Sequence, residues 1–193
     1  DYLNRPLETI FWNLYGLFRV ASNSEPYSLT NESMSFGRLR VFNPRIHLDG
    51  WECAQTVILI NCPDRPFLVD SLRIGLNYEI PIIHSLKSIP IWVRRNDKGI
   101  ATGFSGVQST NGHSEALIAI EIQALDDSRL KSLKLRLTKI LSDVDLVVSN
   151  HSTMRSRLAA EITSVKTLAP PHENLSEDIE FLNWMLDGAF VFL

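Results

Sequence analysis

Residues 62–66 read Cys-Pro-Asp-Arg-Pro, between a run of β-formers and a run of helix-formers, and contain residue types that suit ligand binding. The first turn of a helix has amide N–H groups without backbone partners, and such groups bind anions in many proteins. The same residues also suit helix initiation, because Asp64 is a good N-cap and Pro66 fits the first turn. The pattern favours helix initiation, with Phe67 and Leu68 in the core, and leaves a ligand or partner site as the alternative.

Other arrangements that could perform chemistry are missing from the sequence. It has no Ser/His/Asp or Cys/His arrangement that could be assigned to catalysis, and its five histidines have no metal-ligand spacing. The Gly- and Ser-rich residues 102–112 lack the Gly-Lys-Ser/Thr of a phosphate-binding loop, and no Gly-x-Gly-x-x-Gly occurs. The sequence therefore predicts no catalytic residue, no metal site and no cofactor site within this chain.

Composition and charge exclude several classes of partner. The chain has 193 residues, of which 45% are hydrophobic, and this is enough for one full core. Its net charge of −3 gives no basic surface for nucleic acid, and no apolar run approaches the length that spans a membrane. Cys53 and Cys62 lie at opposite ends of one predicted strand, too far apart to form a disulfide. We predict a cytoplasmic protein that binds neither nucleic acid nor membrane.

Hydrophobic periodicity predicts the elements that position the 62–66 junction. These are a helix at 6–21, strands at 38–42 and 51–61, a helix at 65–77, strands at 80–95 and 115–125, a helix at 126–144 with helical pattern to about 165, and a last helix at 175–187. Residues 22–37 are predicted as a linker and 96–114 as a long, turn-rich hairpin loop. Pro81 and Pro90 restrict strand 80–95 to an edge or to a break in pairing, since neither donates to a ladder.

The order of these elements predicts the fold class. From residue 51 the order β-α-β-β-α is typical of a ferredoxin-like α+β fold, an antiparallel sheet with helices on one face. The fourth strand of such a sheet is missing after the second helix, where residues 145–165 look helical. Strand 38–42 can take this edge position through a hairpin to strand 51–61. An N-terminal helix and a C-terminal helical extension complete the predicted architecture.

The predicted sheet has apolar side chains on both faces. The four residues that carry this pattern on the face away from the helices are Val57, Leu59, Ile83 and Leu117. Burying four such side chains is worth about 6–12 kcal/mol as an upper estimate, so this second face needs a cover. We expect the cover to be the helix at 6–21, the helices after 145, or the sheet of another subunit. In the last case these four residues form an interface.

Several segments resemble one family. DRPFLVDSLRIGLNYEIPIIHSL resembles the ACT-domain pattern, in which a strand leads through an Asp-Arg-Pro-like turn into the first helix. RVFNP, DRPFLVDSLR, EALIAIEI and EDIEFLNWMLDGAFVFL resemble, in this order, the N-terminal region of the large bacterial NAD-specific glutamate dehydrogenases. The resemblance covers residues 38–193. It implies a helical arm and linker at 1–36, an ACT-like domain at 37–144, and a helical extension at 145–193 that leads into a further domain.

The resemblance also implies a function. The chain would be a non-catalytic regulatory or assembly domain of an enzyme that converts glutamate and NAD to 2-oxoglutarate, ammonia and NADH. Its partners would be its own catalytic domain and sister subunits, with NAD bound elsewhere in the parent enzyme. The start at Asp1 and the apolar run at the end also lead us to expect a piece of a longer polypeptide.

An amino-acid effector is the remaining possibility that the resemblance raises. In ACT domains that bind one, the effector lies at the strand–helix turn, which here comprises Asp64, Arg65, Pro66, Phe67 and Leu68. Those domains usually carry glycine where this chain has Phe67, so that backbone amides can approach the ligand. Two alternatives to a regulatory or assembly domain stay open: a free-standing amino-acid sensor that uses this turn, and a pure protein-interaction domain.

Overall fold

The computed structural model describes residues 7–22, 37–78, 80, 82–168 and 175–189. The elements are, in chain order, α1 (Leu7–Ser22), β1 (Arg38–Phe42), α2 (Ile46–Asp49), β2 (Gln55–Pro63), α3 (Leu68–Asn77), β3 (Ile83–Arg95), β4 (Ala101–Ser105), β5 (His113–Gln123), α4 (Asp127–Leu168), α5 (Ser176–Trp184) and a π-helix (Met185–Ala189). The predicted linker at 22–37 and the apolar run at the end of the chain lie almost entirely outside the described residues, as does Pro81.

A five-stranded antiparallel sheet in the order β1-β2-β5-β3-β4 is the centre of the fold. β1 pairs with β2, so the strand that precedes the β-α-β-β-α unit occupies the edge position expected from the sequence. β3 pairs with β5 along its length but with β4 only over Trp92–Arg95, so Pro90 lies on an edge stretch of the described sheet. The prediction of an α+β fold with an antiparallel sheet, an N-terminal helix and a C-terminal helical extension is confirmed.

The segment predicted as a long loop at 96–114 contains a strand, so that prediction was wrong in part. β4 pairs with the end of β3 across a turn in which Asn96 Oδ1 accepts from the N–H groups of Lys98 and Ile100, at 3.0 Å each. Gly99 completes the turn with a positive φ of 73°. The local sequence of β4 has a weak preference for strand, and the strand forms because its backbone can hydrogen-bond to β3.

α3 and α4 cover one face of the sheet. Their buried leucines, at helix spacing, are Leu68, Leu72, Leu76, Leu133, Leu137 and Leu141. The fully buried isoleucines of β2 and β5 on this face are Ile58, Ile60, Ile118, Ile120 and Ile122. Gly75 lets α3 approach α4 closely, because a Cβ at this position would overlap Cδ1 of Ile140. This layer is the helical face that the ferredoxin-like pattern predicts.

The start of α4 is capped by a side chain. Asp126 Oδ1 accepts from the backbone N–H groups of Ser128 and Arg129, at 3.0 Å each, and from the Ser128 hydroxyl at 2.7 Å. The hydroxyl bond, followed by the backbone bonds, lowers the pKa of Asp126 below its ordinary value. This is the N-cap geometry that satisfies amides left without partners at a helix start.

The chain divides into two compact units, residues 1–144 and 145–193. The first unit contains the sheet together with α1. In the second unit Ile162 is buried, and Arg155 donates a hydrogen bond to the Leu186 carbonyl. The sequence-based division into 1–36, 37–144 and 145–193 stays a prediction.

Candidate functional site

α1 covers the second face of the sheet. Leu17 and Val20 of the helix pack with Val57 and Leu59 of β2 and with Ala119 of β5, and all five are buried. The contact is close, because a Cβ at position 16 of α1, which is glycine, would lie 2.9 Å from the Leu59 side chain. The cover expected for the apolar face is therefore supplied within the first unit by the N-terminal helix, the first of the three possibilities considered.

The four predicted interface residues do not share one face. Leu117 lies partly buried beside Val57 and Leu59 under α1. Ile83 instead pairs with Ile122, whose side chain lies on the face of α3 and α4, because the register shifts between Ile83 and Ser85. A bulge of this kind moves a side chain to the opposite face, and the alternation of apolar and polar residues in the sequence does not reveal it. The use of these residues between subunits stays a prediction.

A buried polar cluster stands at the other end of the face that α1 covers. Arg95 of β3 makes two parallel bonds to the Glu115 carboxylate of β5, each at 2.7 Å, and a third to Asn61 Oδ1 of β2 at 2.9 Å. Asn61 donates back to Glu115 at 2.7 Å, and Arg95 also reaches the Gly99 carbonyl at 2.8 Å. The cluster is internally paired, as buried charges must be to persist in a low-dielectric interior.

Arg38 links this cluster to α1. Its guanidinium donates to the Val20 carbonyl in the last turn of α1 at 2.9 Å, where helical carbonyls lack partners. Burial, followed by the nearby charge of Arg95, lowers the pKa of Arg38, and the charge of Glu115 opposes this effect. Glu115 thus binds Arg95 directly and opposes the lowering of the pKa of Arg38. This cluster was not among the predicted sites, although Asn61 and Glu115, which are polar residues within apolar strands, are the signal for it in the sequence.

The 62–66 junction does not start the helix in the way the sequence predicted. α3 begins at Leu68, and its N-cap residue is Phe67, without a side-chain capping bond. Asp64 instead remains beside the sheet, where its N–H donates to the Ser114 carbonyl at 3.1 Å and its carboxylate accepts from the Ser114 hydroxyl at 3.2 Å. The reason is that β2 stays paired with β5 through Pro63, and Pro66 disfavours helical backbone at Arg65.

Phe67 holds a backbone conformation that normally belongs to glycine. Its φ of 65° and ψ of −1° are left-handed, and it is the one non-glycine residue with positive φ in the described part of the chain. Its side chain is 45% exposed, so the prediction of a core position was wrong for Phe67 and right for Leu68, which is 4% exposed. Asp64 and Pro66 are exposed and Arg65 is half-buried, so four of the five predicted effector residues reach the surface of this turn.

The left-handed turn predicts an unusual stability order. Replacing Phe67 with glycine should give a chain about 1 kcal/mol more stable than replacing it with alanine, because both changes remove the ring and glycine alone relieves the strain. Urea unfolding of the two variants measures this difference. Ile74→Gly and Ile74→Ala serve as the matched control in α3, where alanine should be the more stable by about 1 kcal/mol. The same order at both positions would contradict the left-handed conformation of Phe67.

A metal site and a membrane span can be considered for the described residues. Among them no group of three or more His, Cys, Asp or Glu side chains is arranged to hold a metal ion. In the same part of the chain, no helix is both long enough and apolar enough to cross a bilayer. The two features that remain are the α1-covered face with its polar cluster and the turn at Phe67.

An antiparallel sheet with an α3/α4 layer on one face and a strand–turn–helix junction at 62–68 places the chain in the class of ACT-like α+β domains. A family model described as the glutamate dehydrogenase ACT1 domain matches residues 1–137, and the chain belongs to this family. The expected relationship to the N-terminal region of these enzymes is confirmed.

Two curated relatives support the same assignment. The chain is similar to an NAD-specific glutamate dehydrogenase of Pseudomonas aeruginosa, with 32% identity over 160 residues, or 80% of this chain and 10% of the relative. A second NAD-specific glutamate dehydrogenase, from Halomonas elongata, is 31% identical over 162 residues, or 81% of this chain and 10% of the relative. The chain thus spans about a tenth of the length of these relatives. No solved structure matches the chain.

Proposed function

We propose that the chain is a non-catalytic regulatory or assembly domain of an NAD-dependent glutamate dehydrogenase. The parent enzyme would oxidise glutamate with NAD to 2-oxoglutarate, ammonia and NADH in the cytoplasm, with NAD bound outside this chain. Membership of the ACT1 family supports the assignment to this enzyme. The observation that carries the non-catalytic role is the buried polar cluster, because Arg95, Glu115 and Asn61 are bonded to one another.

An assembly role, with the catalytic domain and sister subunits of a homo-oligomer as partners, is supported by the edge of the contact between α1 and the sheet. Leu14 and Phe18 are 52% and 53% exposed there, although their neighbour Leu17 on the same helix is buried. Phe18 contacts Phe104 of β4, with ring centroids 5.5 Å apart, and Phe104 is itself 43% exposed. Exposed aromatic side chains next to one another are typical of surfaces that bind protein.

Activity measurements test this proposal directly. The purified chain should reduce no NAD in the presence of glutamate, and the full-length parent protein should do so under the same conditions. NADH formation followed at 340 nm, the wavelength at which the reduced nicotinamide absorbs, measures both reactions. Turnover by the chain alone would refute a non-catalytic role. A parent protein that oxidises a different substrate would refute the assignment to glutamate oxidation.

An amino-acid sensor at the Phe67 turn is the second candidate. This role is favoured by the backbone of Phe67, which has the left-handed conformation typical of glycine although the residue carries a bulky side chain. Backbone N–H groups of the first turn of α3 would donate hydrogen bonds to the carboxylate of the effector, as they do at the starts of other helices. In this case amino acids titrated into the chain give heat in calorimetry, and Phe67→Gly strengthens the response. An assembly domain gives no heat with either chain.

A further inference from the structure

α3 presents a row of side chains to solvent. Ile74 and Tyr78 are 72% and 88% exposed, and Phe67, at the start of the helix, is 45% exposed. Ser71 lies between Phe67 and Ile74, and its N–H donates to the Phe67 carbonyl at 2.9 Å, so Phe67 is on the helical path. The four positions follow the i, i+4, i+7, i+11 spacing of one helical face. We call these four residues the α3 stripe.

The α3 stripe is apolar and lies on a supported helix. Leu68, Leu72 and Leu76, on another side of α3, are buried against the sheet. Tyr78 is more exposed than any other large hydrophobic side chain in the described part of the chain. The whole stripe belongs to the residue 1–144 unit. Neighbouring exposed apolar side chains of this kind mark surfaces that bind protein, whereas single ones are ordinary.

The order of large and small side chains in the stripe fits a second copy of itself. When two α3 helices lie antiparallel about a twofold axis that passes between Ser71 and Ile74, the isoleucine of each copy faces the small serine of the other. The same axis places Phe67 of each copy opposite Tyr78 of the other, because both pairs of positions have the same midpoint. Large side chains thus face small ones at the centre, and aromatic side chains face each other at both ends.

Asp70 and Arg73 add charge complementarity to this arrangement. Both side chains are exposed, and neither forms an ion pair within the residues that the structure describes. They lie on the same flank of the stripe, and the twofold axis brings this flank of one copy against the same flank of the other. Asp70 of each copy then lies about 3 Å along the helix axis from Arg73 of the other, so two equivalent ion pairs form between the copies.

We propose that the α3 stripes of two copies of this chain pack antiparallel against each other and form a twofold-symmetric dimer. The contact buries apolar side chains that are exposed in the single chain, and both its shape and its charges are self-complementary. A helix of ten residues gives a contact of modest area, so we expect a weak dimer. The proposal rests on the assembly role given above and assigns residues to it.

A charge-exchange experiment with the full chain tests the contact. One variant carries Asp70→Arg and the other carries Arg73→Asp. Alone, each variant opposes like charges across its own dimer, so sedimentation equilibrium from micromolar to millimolar chain should show association weakened about tenfold or more relative to wild type. An equal mixture should associate like wild type, because the two arginines of the first variant meet the two aspartates of the second. A wild-type chain that stays monomeric, or a mixture that does not restore association, would overturn the proposal.

Substitutions of apolar side chains locate the contact. Ile74→Ser with Tyr78→Ser should abolish association, and Leu14→Ser, at a leucine 52% exposed on α1, should leave it unchanged. Circular dichroism of each variant verifies folding. Association that is lost in Leu14→Ser and kept in the α3 variant would place the contact at α1 and contradict the proposal. NAD reduction by the full-length parent reports separately on the proposed function, so failure of the one is distinguishable from failure of the other.

Discussion

Replacing Leu59 with aspartate should unfold the residue 1–144 unit at neutral pH. Leu59 is fully buried between the sheet and α1 among apolar residues, and its cross-strand neighbour Arg40 is already paired with Asp49, so a carboxylate at this position would lack a partner of its own. An unpaired charge in such a place costs several kcal/mol, comparable to the whole stability of a domain, about 5–15 kcal/mol. Loss of the cooperative urea transition, followed by circular dichroism, is the expected observation. Leu59→Ala should remain folded but lose about 2–5 kcal/mol.

Leu48→Asp is the control for this substitution. Leu48 is 68% exposed on α2, so the same change there should alter the free energy of unfolding by less than about 0.5 kcal/mol. A Leu59→Asp chain as stable as wild type would mean that α1 does not cover this face in solution. If the same substitution also prevented assembly of the parent protein, the face would be an interface between subunits, which is the third cover predicted for it.

The sequence was sufficient for those parts of the fold that depend on local pattern. The β-α-β-β-α order lacked a fourth strand, and β1 fills that edge because a short hairpin can reach it. Apolar residues of both parities in β2 required a cover on the second face, and α1 provides it. In both cases burial of apolar surface, which can be read from residue types, decides the outcome.

Pairing register and backbone strain are the features that local pattern did not reveal. The bulge before Ser85 moves Ile83 to the other face, and β4 is stable only beside β3. The left-handed conformation of Phe67 arises because β2 remains paired through Pro63 and the chain must still turn into α3. The buried cluster likewise exists because register brings residues 61, 95 and 115 together from three strands. Each of these outcomes depends on tertiary neighbours that are distant in sequence.

Removing the Glu115 carboxylate should strongly destabilise the residue 1–144 unit. Glu115→Leu removes two hydrogen bonds of Arg95 and one of Asn61. The ion pair is largely buried, since the side chains of Arg95 and Glu115 are 20% and 9% exposed. The substitution also leaves Arg38 beside Arg95 without the opposing charge that raises the pKa of Arg38. Breaking one side of a buried ion pair costs about 3–5 kcal/mol, and urea unfolding should show a loss of this size. Glu52→Leu, at an exposed acid, is the control.

Replacing all three residues of the cluster tests whether Glu115→Leu destabilises the chain because it leaves Arg95 and Asn61 without their partner. The triple variant Asn61→Leu, Arg95→Met, Glu115→Leu removes the buried charges together with their partners, so it should recover most of the stability that Glu115→Leu loses. Hydrogen exchange of the amides in the last turn of α1 should be faster than in wild type for Glu115→Leu and close to wild type for the triple variant. The reason is that Arg38 holds the Val20 carbonyl, and Glu115→Leu alone leaves Arg38 beside the uncompensated charge of Arg95, which the triple variant also removes. A triple variant no more stable than the single one would show that these polar groups stabilise the fold by more than their mutual pairing, and would contradict the role of Glu115 as the counter-charge.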